Sequence, residues 1–271
     1  YRFHVLKALN QRVQTLLPLV NLSVPSGRST LADGVRAIRS IIFWSTKEAL
    51  WARALKTTAT AAATPSKISV SIDKIRALKF KRGNGIDYYG KETIFGQVMT
   101  GLRGVGGMAF RVAPNQRAFK VVEVGFNSQD VGGPYRDTMT TLTDEIESLH
   151  LPLFVPCANA RVQIGRNRDV WVPKPFVGRG GVERGRVIEM FEFVGRLMGL
   201  AIRSLNYHSF HFSAVVWKPL VWDTLTEKDI LAVDALAFRA LDLIRKSEHK
   251  ADKRTFDAAM RAAGSPKLVA S

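Results

Sequence analysis

The stretch FKVVEVGFNSQDVGGPYRD, residues 119–137, decides the fold of this chain. Residues 118–124 are rich in β-branched side chains, which predicts a strand. Two glycines then precede Pro134; glycine permits a tight turn, and proline fits the first turn of a helix, where its missing N–H would have no partner. The pattern therefore predicts a strand that leads through a tight turn into a helix beginning at Pro134.

The helix that begins at Pro134 carries apolar residues at steps of four, three, four and three. They are Tyr135, Met139, Leu142, Ile146 and Leu149. This spacing places them on one face of a helix, which we expect to be buried. Asp137 lies near the helix start, where the aligned peptide dipoles favour a negative charge.

Upstream of the strand, the sequence pattern predicts two helices, a linker, another strand and a further helix, in that order. Residues 5–20 and residues 30–56 each have the apolar periodicity of a helix. Residues 57–66, TTATAAATPS, are small and polar, which is typical of a linker and marks a domain boundary. Residues 67–72 alternate apolar and polar side chains, as a half-buried strand does, and residues 92–102 predict a helix.

Downstream of the signature, residues 152–156 and 170–172 predict short extended segments. Residues 187–204 are apolar on more than one face, which predicts a central helix. Gly195 and Gly199 stand four residues apart on this helix, and we expect them to let another element approach its backbone closely.

The composition indicates a folded chain without a membrane span. The chain has 271 residues, of which 46% are hydrophobic and 23% charged, so it can bury a core as one large domain or two small ones. No apolar run reaches the roughly 18 residues that a membrane-spanning helix needs. The chain opens on Tyr1 and lacks the features of a secretory signal, so we expect a soluble excerpt of a longer protein.

The single cysteine, Cys157, limits the chemistry of the chain. One sulfur cannot form an internal disulfide or a thiolate-rich zinc site. His208 and His211 stand three residues apart, but no adjacent carboxylate or cysteine completes a metal site. We therefore expect no metal, no cofactor, and a reducing compartment, cytoplasmic or nuclear.

Positive charge is concentrated in the first part of the chain. The net charge is +17; residues 1–120 hold 20 basic and 5 acidic side chains, whereas residues 121–271 hold 20 and 18. Such a field attracts RNA, DNA or an acidic protein surface, although a solvated basic surface has the same composition. The densest basic segment, KFKRGNG, is predicted to be a loop, and its Lys79, Lys81 and Arg82 are candidates for weak polyanion contact.

Residues 119–137 resemble the signature of the HECT family of ubiquitin ligases, in which a strand leads through an Asp-x-Gly-Gly turn into an Arg-Glu-bearing helix. Further blocks resemble the family in its order and at similar spacing. They are TIFGQVMTGL (93–102), LPLFVPCANA (151–160), GRNRDVWVPKP (165–175), MFEFVGRLMGLAIRS (190–204) and VVWKPLV (215–221). The family members with RCC1-like repeats look nearest.

The resemblance implies a mostly helical α+β fold. Residues 65–271 resemble the large subdomain of the family's N-terminal lobe, and a basic helical segment, residues 1–64, precedes it. We expect the chain to stop before the subdomain that binds the conjugating enzyme and before the catalytic C-terminal lobe. The sequence departs from the family pattern twice, because Gly125-Phe126 replaces a Gly-Glu pair and Asp137 replaces a Glu.

The residues that carry the family signature are expected to position the backbone and not to react. They are Asp130, Gly132, Gly133, Arg136, Asp137, Gly195, Arg196 and Gly199. None of them is predicted to be catalytic.

The function that the resemblance implies is that of a HECT-type ubiquitin-protein ligase. Such ligases take ubiquitin from a conjugating enzyme onto a ligase cysteine and pass it to a lysine of a protein substrate. The ligase cysteine lies in the family's C-terminal lobe, so Cys157 is expected to belong to the scaffold and this chain to be a non-catalytic fragment. Ubiquitin and a conjugating enzyme are the implied partners. Two alternatives stay open: a degenerate HECT-like structural subunit and a basic nucleic-acid-binding module.

Overall fold

The computed structural model describes residues 1–22, 24, 27–60, 68–125, 133–175, 180–246 and 254. Within these ranges the chain forms eleven α-helices and four short strands, which confirms the predicted mostly helical α+β class. The helices are α1 (Arg2–Leu16), α2 (Thr30–Ala37), α3 (Trp44–Thr57), α4 (Lys74–Arg82), α5 (Ile94–Gly101), α6 (Gly133–Ile146), α7 (Ala158–Val162), α8 (Gly181–Ser204), α9 (Ala214–Leu220), α10 (Glu227–Leu231) and α11 (Ala235–Lys246). The strands are β1 (Ser69–Ile72), β2 (Lys120–Glu123), β3 (Phe154–Pro156) and β4 (Trp171–Pro173). The predicted domain boundary between residues 64 and 65 lies outside the described residues.

The chain forms two compact units, each of which collects segments that are distant in sequence. Unit 1 comprises Tyr1–Ile68, Gly104–Lys120 and Arg196–Tyr207. Unit 2 comprises Ser69–Arg103, Val121–Gly195 and His208–Ser271. The helices α1 to α3 therefore belong to unit 1, and the signature helix α6 belongs to unit 2.

In unit 1 the buried Asn10 holds α1 against the segment between α2 and α3. Its amide donates to Leu6 O at 2.8 Å and to Ile41 O at 3.3 Å, and its Oδ1 accepts from Phe43 N at 2.7 Å. Phe3 on α1 also stacks on Phe43, with ring centroids 6.1 Å apart. Because Phe43 is the N-cap residue of α3, this amide fixes where α3 begins.

Residues 30–56 form two helices, so the prediction of one continuous helix was wrong. Ser29 starts α2, with its Oγ accepting from Ala32 N at 3.3 Å. The apolar periodicity continues through the break because Ile42 is buried in the connecting turn. A side-chain pattern alone therefore does not reveal that the backbone leaves the helix there.

The strands β1 and β2 form a two-stranded sheet. Lys120 N donates to Ile68 O and Val124 N donates to Ile72 O, each at 2.8 Å. The register thus advances in the same direction along both strands, so they run parallel. Ile72 and Val121 point into the core and are buried. The helices α4 and α5 lie between the strands in sequence and supply the crossover that a parallel pair requires.

The strands β3 and β4 pair antiparallel, with Pro156 opposite Trp171. Trp171 extends the pairing through an isolated bridge to Phe212. The rings of Phe154 and Phe212 stack with centroids 4.3 Å apart, and Phe191 of α8 meets Phe154 edge-on at 5.5 Å. An aromatic cluster therefore ties this small sheet to α8 within unit 2.

The long central helix that the sequence predicts is α8, and it begins six residues earlier, at Gly181. Its buried apolar residues recur at helical spacing: Val187, Met190, Phe193, Val194, Leu197, Leu200 and Ala201. No described neighbour lies within 4 Å of a Cβ built at Gly195 or Gly199, so the close approach expected there is not made by the described residues. Neither α8 nor any other helix of the described ranges is long and apolar enough to span a membrane.

Two further predictions were wrong near helix ends. The basic segment with Lys79, Lys81 and Arg82 forms the last turn of α4 and not a loop. Basic side chains suit this position because the C-terminal end of a helix carries a partial negative charge. The helix α6 ends at Ile146, so Leu149 lies beyond it and is 61% exposed.

Leu197 tests the assignment of α8 to a core. Its side chain is 3% exposed, so Leu197→Asp would bury an unpaired carboxylate at a cost of several kcal/mol. That cost is comparable with the roughly 5–15 kcal/mol by which folded domains are stable. We expect the variant to lose its cooperative thermal transition, followed by circular dichroism. The control is Ile188→Asp, at a position of the same helix that is 50% exposed; equal melting of the two variants would contradict the assignment.

Candidate functional site

A buried carboxylate from the signature helix α6 holds the N-terminus of α5. Glu145 is 1% exposed, and its oxygens accept from Ile94 N at 3.2 Å and from Phe95 N at 2.6 Å. These amides belong to the first turn of α5 and have no partner inside the helix, and the helix dipole favours a negative charge there. Thr93 caps the same end, with its Oγ1 accepting from Gly96 N at 3.0 Å.

A second buried carboxylate, that of Asp87, shapes the loop that leads into α5. Its Oδ1 accepts from Lys91 N at 2.9 Å, and its Oδ2 accepts from Glu92 N at 2.8 Å and from Thr93 N at 2.9 Å. The hydroxyl of Thr93 donates to the same Oδ2 at 2.8 Å. Asp87 is 3% exposed, so these four donors replace the water that a carboxylate would otherwise bind.

Lys81 supplies the counter-charge to Glu145. Its Nζ lies 2.7 Å from Glu145 Oε1, and the Lys81 side chain is 30% exposed. Removal of the lysine alone would leave the buried charge of Glu145 without a counter-charge. Breaking an ion pair in this way strongly destabilises a folded protein. We refer to Lys81, Asp87, Thr93 and Glu145 as the α5 anchor.

The α5 anchor depends on two glycines. A Cβ at Gly96 would lie 2.4 Å from Gly90 C and 2.7 Å from Asp87 Oδ2, so the lead-in loop crosses α5 at a distance that excludes any side chain. Gly90 has a φ of +65°, in the left-handed region that favours glycine. The glycine in TIFGQVM is therefore required for the path of the loop.

The signature residue Asp137 forms a surface ion-pair group with the start of α4. Lys74 Nζ lies 2.6 Å from Asp137 Oδ2 and 2.7 Å from Glu123 Oε1. Burial lowers the pKa of Lys74, but the hydrogen bonds to Asp137 and Glu123 outweigh that effect and raise the pKa above its ordinary value. Because the Asp137 side chain is 60% exposed, we expect this ion pair to add little to the stability of the fold.

The other predicted signature residues do not gather into one constellation among the described residues. Asp130, Gly132 and the departure Phe126 lie outside the described residues. The exposed signature residues are Gly133, Arg136, Gly195 and Arg196, whereas Gly199 is partly buried. Their proposed role in positioning the backbone stays a prediction.

The three residues predicted to contact a polyanion differ in how accessible their charges are. Lys79 and Arg82 are exposed at the end of α4. Lys81 is already paired with the buried Glu145. Contact of these residues with a polyanion stays a prediction, with Lys79 and Arg82 as its accessible members.

Cys157 is fully buried between β3 and α7. Its Sγ accepts from Ala160 N at 3.4 Å as the N-cap of α7, and its thiol donates to Asn167 O at 3.1 Å. Both contacts are with the backbone. A thiol at this position serves helix capping and packing, whereas a nucleophilic cysteine requires access to its reaction partner.

The two histidines of the HSFH stretch have different surroundings. His211 Nδ1 lies 2.9 Å from Glu147 Oε2, and the hydrogen bond to Glu147 raises the pKa of His211. Burial lowers the pKa of His208. Within the described ranges, no group of three or more His, Cys, Asp or Glu side chains could hold a metal ion, with or without these two histidines.

Sequence reasoning missed the buried polar residues Asp87, Glu145 and Asn159. Asn159 is fully buried; its amide donates to Ala232 O at 3.1 Å and its Oδ1 accepts from Ala235 N at 2.8 Å. The positions of two of these residues in the sequence could have indicated that they are buried. Glu145 stands next to the apolar face of the predicted helix, and Asn159 follows a long apolar run. A polar residue placed among buried apolar ones is expected to have a specific partner.

Several buried polar residues of the described part of the chain hold helix ends. Residues 140–269 match the model of a family described as HECT-domain (ubiquitin-transferase). The match begins within α6 and includes Glu145 and Cys157. This region of the chain therefore matches the HECT family, which confirms the resemblance that the signature predicts.

Curated relatives give the same family. The chain is 27% identical over 216 residues to the E3 ubiquitin-protein ligase HERC2 of Homo sapiens, a match that covers 79% of this chain and 4% of the relative. The Mus musculus HERC2 gives the same figures. The probable E3 ubiquitin-protein ligase HECTD4 of Homo sapiens is 23% identical over 265 residues, covering 95% of this chain and 6% of the relative. The chain thus spans only a small part of the length of the relatives it matches.

Lys81→Met tests the α5 anchor. The substitution leaves the buried carboxylate of Glu145 without its counter-charge, which we expect to lower the free energy of unfolding by about 1–3 kcal/mol. Urea titration would measure this as a lower midpoint with an unchanged slope. The matched control is Lys79→Met, at an exposed position of the same helix turn; we expect it to change stability by less than about 0.5 kcal/mol. Equal effects of the two substitutions would show that the Lys81–Glu145 pair adds nothing.

Proposed function

We propose that the protein is a HECT-type ubiquitin-protein ligase in which residues 1–271 form a non-catalytic scaffold. The match of residues 140–269 to the HECT family model and the names of the relatives support the class of enzyme. In this proposal ubiquitin passes from a conjugating enzyme to a ligase cysteine outside residues 1–271, and then to a lysine of a protein substrate. Ubiquitin and the conjugating enzyme are therefore partners of the intact protein, in the cytoplasm or the nucleus.

The observation that carries the non-catalytic part of the proposal is the burial of Cys157. It is the single cysteine of the 271 residues, and it is fully buried. Transfer of ubiquitin onto a ligase requires a thiolate that can reach the thioester of the conjugating enzyme. The Cys157 sulfur is instead engaged by Ala160 N and Asn167 O. Exposure of this thiol would require α7 to lose its cap.

The scaffold role is consistent with the hydrogen bonds that the buried polar groups of unit 2 form with the backbone. Asp87 and Glu145 accept hydrogen bonds from backbone amides around the start of α5, and Asn159 does so at the start of α11. Carboxylates that are hydrogen-bonded to the backbone in this way hold elements in fixed positions.

The thioester assay tests the proposal directly. The 271-residue chain would be incubated with ubiquitin, activating enzyme, ATP and a panel of conjugating enzymes, then run on non-reducing gels. We expect no reductant-sensitive ubiquitin adduct on this chain. The longest natural form of the protein, assayed in parallel, is expected to form one.

Cys157→Ser is the matched variant, because a serine hydroxyl can cap α7 in place of the thiol. In the longest natural form, Cys157→Ser is expected to leave the adduct unchanged. An adduct on the 271-residue chain that disappears in Cys157→Ser would overturn the scaffold role. Absence of any adduct on the longest form would favour a degenerate HECT-like structural subunit instead.

A second candidate function, weak binding of polyanions, is favoured by the distribution of charge. Residues 1–120 contain 20 basic and 5 acidic side chains. Lys79 and Arg82 are exposed on the last turn of α4, where a phosphate or sulfate group could reach them. Binding of this kind depends on phosphate or sulfate charge and not on base sequence.

Heparin retention tests the polyanion candidate. We expect the chain to bind a heparin column at low ionic strength and to elute well before about 1 M salt, because screening weakens exposed contacts. Lys79→Glu combined with Arg82→Glu is expected to shift elution to lower salt. The comparison is with Arg245→Glu, which reverses one exposed charge on α11. Retention that does not depend on salt would contradict an electrostatic contact.

A further inference from the structure

Unit 1 contains a wide groove whose volume is about 1150 Å³. All of its lining residues belong to unit 1. One wall is the exposed face of α3 and the residues that follow it, and the other is formed by residues near Pro114 and Tyr207. The lining is mostly apolar, with Lys47 and Lys56 among its polar residues. We call it the α3 groove.

The face of α3 that lines the groove has the spacing of a helix interface. It presents Trp44, Lys47, Glu48, Trp51, Ala52, Leu55 and Lys56. These positions recur at steps of three and four, so they form one stripe along the entire helix. Trp44 is 75% exposed and Trp51 is 50% exposed. Large aromatic side chains left open in this pattern mark an interaction surface.

The helix α3 is also poorly covered within the described part of the chain, where Thr46 is its buried residue. Most of the stability of a short helix comes from packing of its apolar face against other elements. A helix of 14 residues with two open tryptophans has that face available. A partner that lies on the stripe would therefore bury the face that unit 1 leaves open.

The groove has a defined shape before any partner arrives. Thr60 N donates to Arg111 O at 3.0 Å, which joins the end of the α3 wall to the opposite wall. Arg203 donates to Thr58 Oγ1 at 2.7 Å, next to the same end of α3. On the opposite wall, Asn115 N donates to Ser204 O at 3.0 Å. Preformed walls reduce the entropy that binding would cost.

The charge around the groove defines its partner. Unit 1 holds 15 basic and 2 acidic side chains, and one of the two, Asp33, already forms an ion pair with Arg36. Burial, and then the nearby charge of Arg111, lower the pKa of Arg203, as expected where positive charges accumulate. Lys47 and Lys56 on the α3 wall would meet complementary charge on an acidic partner, and Glu48 is the acidic residue of that wall.

We propose that the α3 groove binds an amphipathic helix of a protein partner, with an apolar stripe against Trp44 and Trp51 and acidic residues on its flanks. The stripe of α3 is about 21 Å long at 1.5 Å per residue, which suits a partner helix of three to four turns. A mostly apolar lining favours side chains of a peptide over the charged backbone of a nucleic acid. The surface goes beyond ubiquitin transfer, and its test requires no thioester.

A labelled peptide tests this surface on the 271-residue chain. The probe is a fluorescein-labelled peptide of about 18 residues with leucine at helical spacing and glutamate elsewhere, long enough to cover α3. Fluorescence anisotropy is expected to show saturable binding of the probe. Trp51→Ala is expected to weaken it by about tenfold or more, because a central tryptophan commonly dominates such interfaces. Trp222→Ala, at a 54% exposed position of unit 2, is expected to leave it unchanged.

Three comparison probes decide between partners. A peptide with the same composition in scrambled order lacks the stripe, one with lysine in place of glutamate lacks the charge, and a uridine oligonucleotide replaces the peptide. Binding of any of these as tightly as the first probe would overturn the proposal, and so would failure of the first probe to bind. Should Trp51→Ala unfold, Lys47→Glu with Lys56→Glu replaces it; these rim variants are expected to weaken the acidic probe by at least about fivefold.

Discussion

Glu145 brings a negative charge into the core of unit 2, where it meets two amides of α5 and the ammonium of Lys81. These partners belong to α5 and α4, so one carboxylate of α6 links three helices. The geometry around it leaves little tolerance, because the lead-in loop must cross α5 at Gly96. Replacement by an apolar side chain would remove the charge and leave the helix amides without acceptors.

The buried polar groups of the described residues bond mainly to backbone atoms. The buried carboxylates of the chain accept hydrogen bonds from the backbone, and its one cysteine caps a short helix. A nucleophilic cysteine instead needs a sulfur that its reaction partner can reach and that has a free lone pair. These buried groups therefore hold backbone elements in place.

Much of the fold could be predicted from the sequence where one face of an element is apolar. The helix after Pro134 and the long helix α8 followed from their spacing, and β4 followed from β-branched and aromatic residues. The break before α3 could not, because it depends on hydrogen bonds of Asn10 to residues 41 and 43. The α5 anchor was equally hidden, since Lys81 and Glu145 meet across 64 residues of chain. Periodicity reports which face is buried, whereas the partner of a buried polar group depends on tertiary contacts.

Two hydrogen bonds of Asn159 can form only late in the synthesis of the chain. Its acceptor Ala232 and its donor Ala235 follow it by 73 and 76 residues. During synthesis at about 5–20 residues per second, the amide therefore waits several seconds for its partners to leave the ribosome. Pairings over so long a separation form late and slow the folding of a chain. The region around α7 therefore completes its buried hydrogen bonds only after residues 232–235 have been made.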